Sequence, residues 1–199
     1  WQCRYDGIFD HMDVSSDLST YMVNNNDVGT GTIQVTANSG WWDNCYANIR
    51  ATNILFQKAA AYFGNQEDLE QSLGQGYFFR AYNYFYLLQH FGGVPIVTVV
   101  PDVNSSELYS ARSSRYEVVD LILSDLDKAI AFLPGESSLS ADDKGRITSG
   151  GAKAFKSRVL LYEATWRKYN GTSTDFEGSA GPEKDQVNEF LDEAVALCE

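Results

Sequence analysis

With 199 residues, 44% of them hydrophobic and 14% aromatic, the chain carries enough apolar material for one domain with a buried core, which excludes a disordered segment. Fifteen basic against twenty-seven acidic side chains leave a formal charge of -12, which argues against a groove built to neutralise nucleic-acid phosphates. No apolar run approaches the roughly eighteen residues that a bilayer-spanning helix needs. The chain opens at Trp1 with no initiator Met or apolar signal segment and stops at Glu199 inside a helical pattern, so we expect a piece of a longer protein.

The first long helical period runs from Trp41 to about Tyr62. Trp42, Tyr46, Ile49 and Phe56 recur there at spacings of four, three and seven, and Asn53 falls on the same face. Phe63-Gly64-Asn65-Gln66 ends it. From Leu69 to Phe91 a second helix is so rich in rings, Phe78, Phe79, Tyr82, Tyr84 and Phe85 among them, that both of its sides must be largely covered. Gly92-Gly93 stops that helix and Val94-Pro95 forces the chain extended. A third begins at Ser114-Arg115-Tyr116-Glu117, where Ser at the cap and Glu three residues on can satisfy each other's backbone N–H groups, and it ends at Pro134-Gly135. Thr148 or Ser149 caps a fourth, which Tyr169-Asn170-Gly171 closes, and Pro182 to Cys198 begins a fifth. Thr32 to Thr36 and Val94 to Val100 are the two strand candidates. The expectation is an all-α chain of tetratricopeptide-like stacked helix pairs with long loops, the pairs spanning about 41–91 and 114–169 and a third begun at about 183–199. Repeat spacing is far from the tetratricopeptide consensus of about thirty-four residues.

Chemistry is sparse. Cys3, Cys45 and Cys198 form no C-x-x-C and are read as buried or idle thiols, while His11 and His90 each stand alone, so no zinc site is expected. Gly29-Thr30-Gly31 and Gly74-Gln75-Gly76 lack the context of a phosphate loop. The acidic pairs Glu67/Asp68, Asp125/Asp127 and Asp142/Asp143 could in principle serve a glycosidase. The first reads instead as a helix first turn and the last as a solvated loop. Arg80, set among Phe78, Phe79 and Ala81, needs a partner of good geometry, either Asp125 or a helix C-terminal carbonyl, and Asn53 likewise wants hydrogen bonds. Asn53, Arg80 and Asp125 are therefore taken as polar locks between helices.

In order along the chain stand Trp42-x-x-x-Tyr46-x-x-Ile49-x-x-x-Asn53-Ile54-Leu55, then Gly76-Tyr77-Phe78-Phe79-Arg80-Ala81-Tyr82-Asn83-Tyr84-Phe85, then Phe91-Gly92-Gly93-Val94-Pro95. They are followed by Arg115-Tyr116-Glu117-Val118 with Ile122 to Ala129, and by Gly145-Arg146-Ile147-Thr148 through Tyr162. This series resembles the SusD/RagB family of nutrient-binding outer-membrane lipoproteins. Two positions depart from the family's habit: Gln75 stands where Glu is frequent, and Gly150-Gly151 where alanines are usual. Members are normally more than twice this length, so the resemblance is to their N-terminal portion.

The resemblance implies a binding protein that does no chemistry, lipid-anchored on the extracellular face of the outer membrane in Bacteroidetes-type bacteria. There it would cap a SusC-like TonB-dependent barrel and capture glycans, or peptides, for import. Trp1-Gln2-Cys3 is not a lipobox, so the acylated cysteine is expected upstream. No cofactor is expected, and no ligand set for a calcium ion can be placed in the sequence. The stretch most like a glycan surface is the loop from Tyr21 to Trp41, with Tyr21, Asn24, Asn25, Asn26 and Trp41, since aromatic faces stack on sugar rings and amides fix hydroxyls. Trp41 could equally pack beside Trp42 in the core. Two rival readings stand beside this one: a tetratricopeptide-type adaptor that binds extended peptides, and an all-helical glycoside hydrolase in which Asp125 or Asp127 would be essential for turnover.

Overall fold

The structure, a computed structural model, describes residues 37–171 and 186–198. Five α-helices follow one another among them: α1, Gly40–Ala60; α2, Glu70–Phe91; α3, Arg115–Phe132; α4, Ser149–Asn170; and α5, Val187–Ala196. They belong to one compact unit, Gly40–Glu199. The architecture is all-α, as the periodicity predicts. The ends of the first four helices fall within a residue or two of the expected ones, whereas the last, expected from Pro182, starts at Val187 because Gln186 stands in the left-handed region at φ 55°; residues 182–185 lie outside the described residues. So do His11 and the strand candidate Thr32 to Thr36.

Local chemistry sets the ends. Ser114 Oγ accepts from the Glu117 N–H at 3.2 Å while the Ser114 N–H donates to Glu117 Oε2 at 2.7 Å, so both arms of the capping box form at the start of α3. Thr148 Oγ1 accepts from Gly151 N–H at the start of α4. Gly92 ends α2 at φ 68° and Gly171 ends α4 at φ 77°, a region in which a Cβ is strained. Glu67 and Asp68 are not in the first turn of α2. They occupy a separate 3₁₀ turn, Gln66–Leu69, capped by Asn65.

Each helix lies antiparallel on its predecessor. Trp42 meets Phe91, Asn48 meets Asn83 and Phe56 meets Tyr77 between α1 and α2; Arg80 meets Asp125 and Tyr77 meets Phe132 between α2 and α3. Asp127 with Lys156 and Arg115 with Glu163 fix α3 against α4, and Lys156 with Glu193 fixes α4 against α5. Phe155 and Tyr162 of α4 also reach α2, with Phe155 edge-on to Phe78 and Phe85. The core is formed where these faces converge, by Tyr84, Leu87 and Leu88 of α2, Val118, Val119, Ile122 and Leu126 of α3, and Val159 and Leu160 of α4. Close approach of α1 and α2 depends on Gly76, where a Cβ would stand 2.8 Å from Leu55 Cδ2 and 3.0 Å from Phe56 Cε1.

Val94 to Val100 is extended but is not a strand, and none forms among the described residues. Its backbone runs along α1 and is bonded by side chains instead of a neighbouring strand. Tyr46 Oη donates to Pro95 O at 2.7 Å, Arg50 Nη1 to Pro101 O at 3.1 Å, and Asn53 Nδ2 to Val97 O and Val99 O at 2.9 and 3.0 Å. Tyr84 Oη accepts from the Val97 N–H at 2.7 Å. Backbone groups that a sheet would pair are satisfied here by a face of α1 whose polar residues recur at spacings of four and three, together with Tyr84 of α2.

Candidate functional site

The polar residues singled out in the sequence come together in one buried chain. Arg80 donates through Nε to Asp125 Oδ2 at 2.7 Å and through Nη2 to Oδ1 at 2.8 Å, a two-pronged pair in which Asp125 is 0% exposed. Its remaining arm, Nη1, donates to Asn53 Oδ1 at 3.0 Å, and the guanidinium lies over the Phe56 ring at 4.7 Å. Asn53 passes the connection on to Val97 and Val99. These groups are consumed in joining α1, α2, α3 and the extended segment, which leaves them nothing to offer a ligand. Gln75 takes no part, and its Nε2 is buried without a hydrogen-bond partner.

Burial of Asp125 also bears on catalysis. A glycosidase needs two carboxylates that reach one bond from opposite sides. Asp125 faces inward on Arg80, Asp127 is tied to Lys156 on the surface, and Asp143 pairs with Arg146 at 2.8 Å. Among the described residues no group of three or more His, Cys, Asp or Glu side chains is placed to hold a metal ion.

A second buried ionic cluster went unread in the sequence. Glu163, 0% exposed, accepts from Arg115 at 2.8 and 3.0 Å and from Arg167 at 2.9 Å, and Arg167 Nη1 also donates to Gln186 Oε1 at 3.0 Å. A signal was present: Glu163 and Arg167 stand four apart in an apolar stretch that contains Leu160 and Ala164. Arg115 drew notice only as part of a helix start.

The outward-facing chemistry lies at the other end of the molecule's polarity scale. Trp41 and Trp42 are adjacent in α1 and so point about 100° apart. Trp42 turns inward, edge-on to Phe91 at 5.2 Å and tilted on Tyr46 at 4.9 Å. Trp41 does not share its packing and is 59% exposed. Because α1 and α2 are antiparallel, the first turn of α1 lies beside the last turns of α2, where Tyr86 and His90 are four residues apart. The Trp41 and His90 rings are parallel within 7° at 5.9 Å, Tyr86 lies 5.4 Å from Trp41, and Tyr86 is 4.7 Å from His90. Burial raises the Tyr86 phenol, so the ring stays neutral at ordinary pH. Tyr21, Asn24, Asn25 and Asn26 lie outside the described residues. Tyr86 and His90 were missed as partners of Trp41 because no sequence period relates α1 to α2; the spacing of four between them was the available sign.

The described helices thus stack in antiparallel order, with the Arg80–Asp125 and Glu163 charges paired inside and the Trp41, Tyr86 and His90 rings at one edge. The chain belongs to the SusD-like family described as starch-binding and associating with the outer membrane, which its residues 5–161 match. It is 31% identical over 140 residues to SusD-like protein P38 of Formosa agariphila, a match that takes in 69% of this chain and 26% of that protein. Among solved structures, a SusD-like protein from Bacteroides fragilis superposes with a TM-score of 0.60 at 29% identity over 79% of this chain and 27% of that one. A laminarin-binding SusD-like protein superposes with a TM-score of 0.62 at 28% identity, over 74% and 33%. The chain spans about a quarter of the length of the curated relatives it matches. No helix among the described residues is long and apolar enough to cross a membrane.

Proposed function

We propose that this protein captures glycans on the extracellular face of the outer membrane and delivers them to a SusC-like TonB-dependent barrel, held there by a lipid anchor and catalysing no reaction. The observation that carries this reading is the ring cluster of exposed Trp41 and His90 with half-buried Tyr86, on a scaffold similar to that of a laminarin-binding protein. A pyranose presents an apolar C–H face and a polar rim, and it is held by a flat aromatic surface with hydrogen-bonding groups at its edge. Tyr21, Asn24, Asn25 and Asn26, outside the described residues, are proposed as further glycan contacts on the strength of their side-chain chemistry alone. Inward burial of Asp125 supports a non-catalytic role, since the acidic pair at 125 and 127 cannot flank a substrate.

The test is affinity gel electrophoresis of the intact protein against soluble polysaccharides, laminarin and starch among them, with reducing sugars assayed in the same samples. The expected result is retardation by a glycan without sugar release, and loss of that retardation in Trp41→Ala with unchanged far-UV circular dichroism. Retardation by none of the glycans would overturn the glycan assignment, and released sugars would overturn the non-catalytic one.

A further inference from the structure

A cavity of about 350 Å³ opens between α1 and the stretch that follows Pro95, and it shares no lining residue with the ring cluster. Its walls combine hydrocarbon from Ile49, Val97, Val99 and Leu108 with the rings of Trp42 and Tyr46, and this volume lies at the lower end of the range for small-molecule sites, about 300–1,000 Å³. Two side chains of opposite charge also line it, Arg50 from α1 and Glu107 from the 3₁₀ turn Ser106–Tyr109. They form no ion pair with each other. Arg50 spends one nitrogen on Pro101 O at 3.1 Å, and Glu107 Oε2 meets only the Ser106 hydroxyl, at 3.5 Å.

The two charges stand on separate elements. Arg50 is fixed to a helix and tethered to Pro101. Glu107 sits on a turn braced by Ser105 Oγ accepting from the Asp102 N–H at 2.8 Å and by Asp102 Oδ1 accepting from the Asn104 N–H at 2.8 Å. We infer that this cavity binds a free α-amino acid with an apolar side chain, its carboxylate on Arg50, its ammonium on Glu107 and its side chain among Ile49, Val97, Val99 and Leu108. Other chemistries fit less well. An anion such as phosphate would face the Glu107 carboxylate, and a cation would face Arg50. A neutral sugar could lie on the Trp42 and Tyr46 rings but would leave the opposite charges of Arg50 and Glu107 without counter-charges, and the glucose arm of the titration below separates the two. A zwitterion with a hydrocarbon body meets all three features together. This assignment does not rest on the glycan reading.

The test is a methyl-detected NMR titration of the intact protein with L-leucine, N-acetyl-L-leucinamide and glucose. L-leucine is expected to shift the Ile49, Val97, Val99 and Leu108 methyls saturably, with a Kd on the order of 1 mM. N-acetyl-L-leucinamide, which keeps the side chain and loses both charges, is expected to bind at least about tenfold more weakly, as is L-leucine to Arg50→Gln and to Glu107→Gln. Two variants on separate elements guard against a local folding defect, and unchanged denaturation midpoints would show that neither has one. Equal binding of the uncharged amide, glucose shifting the same methyls, or no methyl shift with L-leucine would each overturn the assignment. Failure of the glycan gels would leave it standing.

Discussion

Arg80 is the residue on which the most elements depend, since its three arms reach Asp125 on α3 and Asn53 on α1, and Asn53 in turn holds the extended segment. Removing one partner of a buried ion pair leaves the other charged without compensation, whereas replacing both with apolar groups of similar size removes the desolvation cost as well. Arg80→Ala is therefore expected to destabilise the protein by about 3 kcal/mol, and Arg80→Met combined with Asp125→Leu by less than that, as read from urea denaturation midpoints. A smaller loss in the single variant than in the double would contradict the pairing. That Arg80 needs a partner was legible, because a guanidinium flanked by Phe78, Phe79 and Ala81 cannot stay unpaired. Its identity was not, since Asp125 lies 45 residues away and only the register of α2 on α3 selects it over a helix-end carbonyl. Tyr84 gives a second prediction at this scale. Burial pushes its phenol up from 10.0 to about 12, and burial likewise raises Tyr46. For Lys156 burial pulls downward, but hydrogen bonds and charge from Asp127 and Glu193 outweigh it and the net shift is upward. Each group holds its proton longer folded than unfolded, so the stability it contributes is complete below its unfolded pKa and is lost as pH rises through the folded one. Denaturation midpoints are expected to fall as pH climbs from about 10 towards 12, and less steeply in Tyr84→Phe.

Helix ends were the most legible elements because they are fixed by local chemistry. Ser114 with Glu117, Thr148, Gly92 and Gly171 act within a few residues of themselves, so the sequence alone contains the whole interaction. Val94 to Val100 was misread for the converse reason. β-branched residues after a proline signal an extended backbone, but not which groups will pair it, and here Tyr46, Asn53 and Tyr84 do so from two helices. Glycines in helices divide in the same way into those that contact a neighbour and those that do not. A Cβ at Gly76 would press on Leu55 and Phe56 across the α1–α2 contact, whereas at Gly150 its nearest neighbour would be Thr148 Oγ1 at 3.9 Å. Gly76→Ala is expected to destabilise by about 1–3 kcal/mol through overpacking. Gly150→Ala is expected to stabilise by about 0.5 kcal/mol, since it restricts the unfolded chain and meets nothing in the folded one. Thermal unfolding of the two variants, run side by side, checks both signs.

At the scale of the whole molecule the fold was readable because family motifs mark the packing faces of helices in order. The ring cluster was not, since Trp41, Tyr86 and His90 become neighbours only when α1 lies antiparallel on α2. The net charge of -12 links stability and binding at this scale in a way that separates the ligand classes. Like charges brought closer by folding repel, and salt screens that repulsion as the Debye length shrinks from about 10 Å at 0.1 M to about 3 Å at 1 M. Raising salt through this range is therefore expected to raise the denaturation midpoint. Stacking of neutral sugar faces on Trp41, Tyr86 and His90 has no charge to screen, so glycan retardation in affinity gels is expected to stay unchanged across the same salt series. A cationic ligand drawn in by the acidic surface would instead lose affinity steadily as salt rises. Retardation that falls with salt while the fold grows more stable would place the binding energy in ion pairs, and the ring cluster would then not be the contact surface.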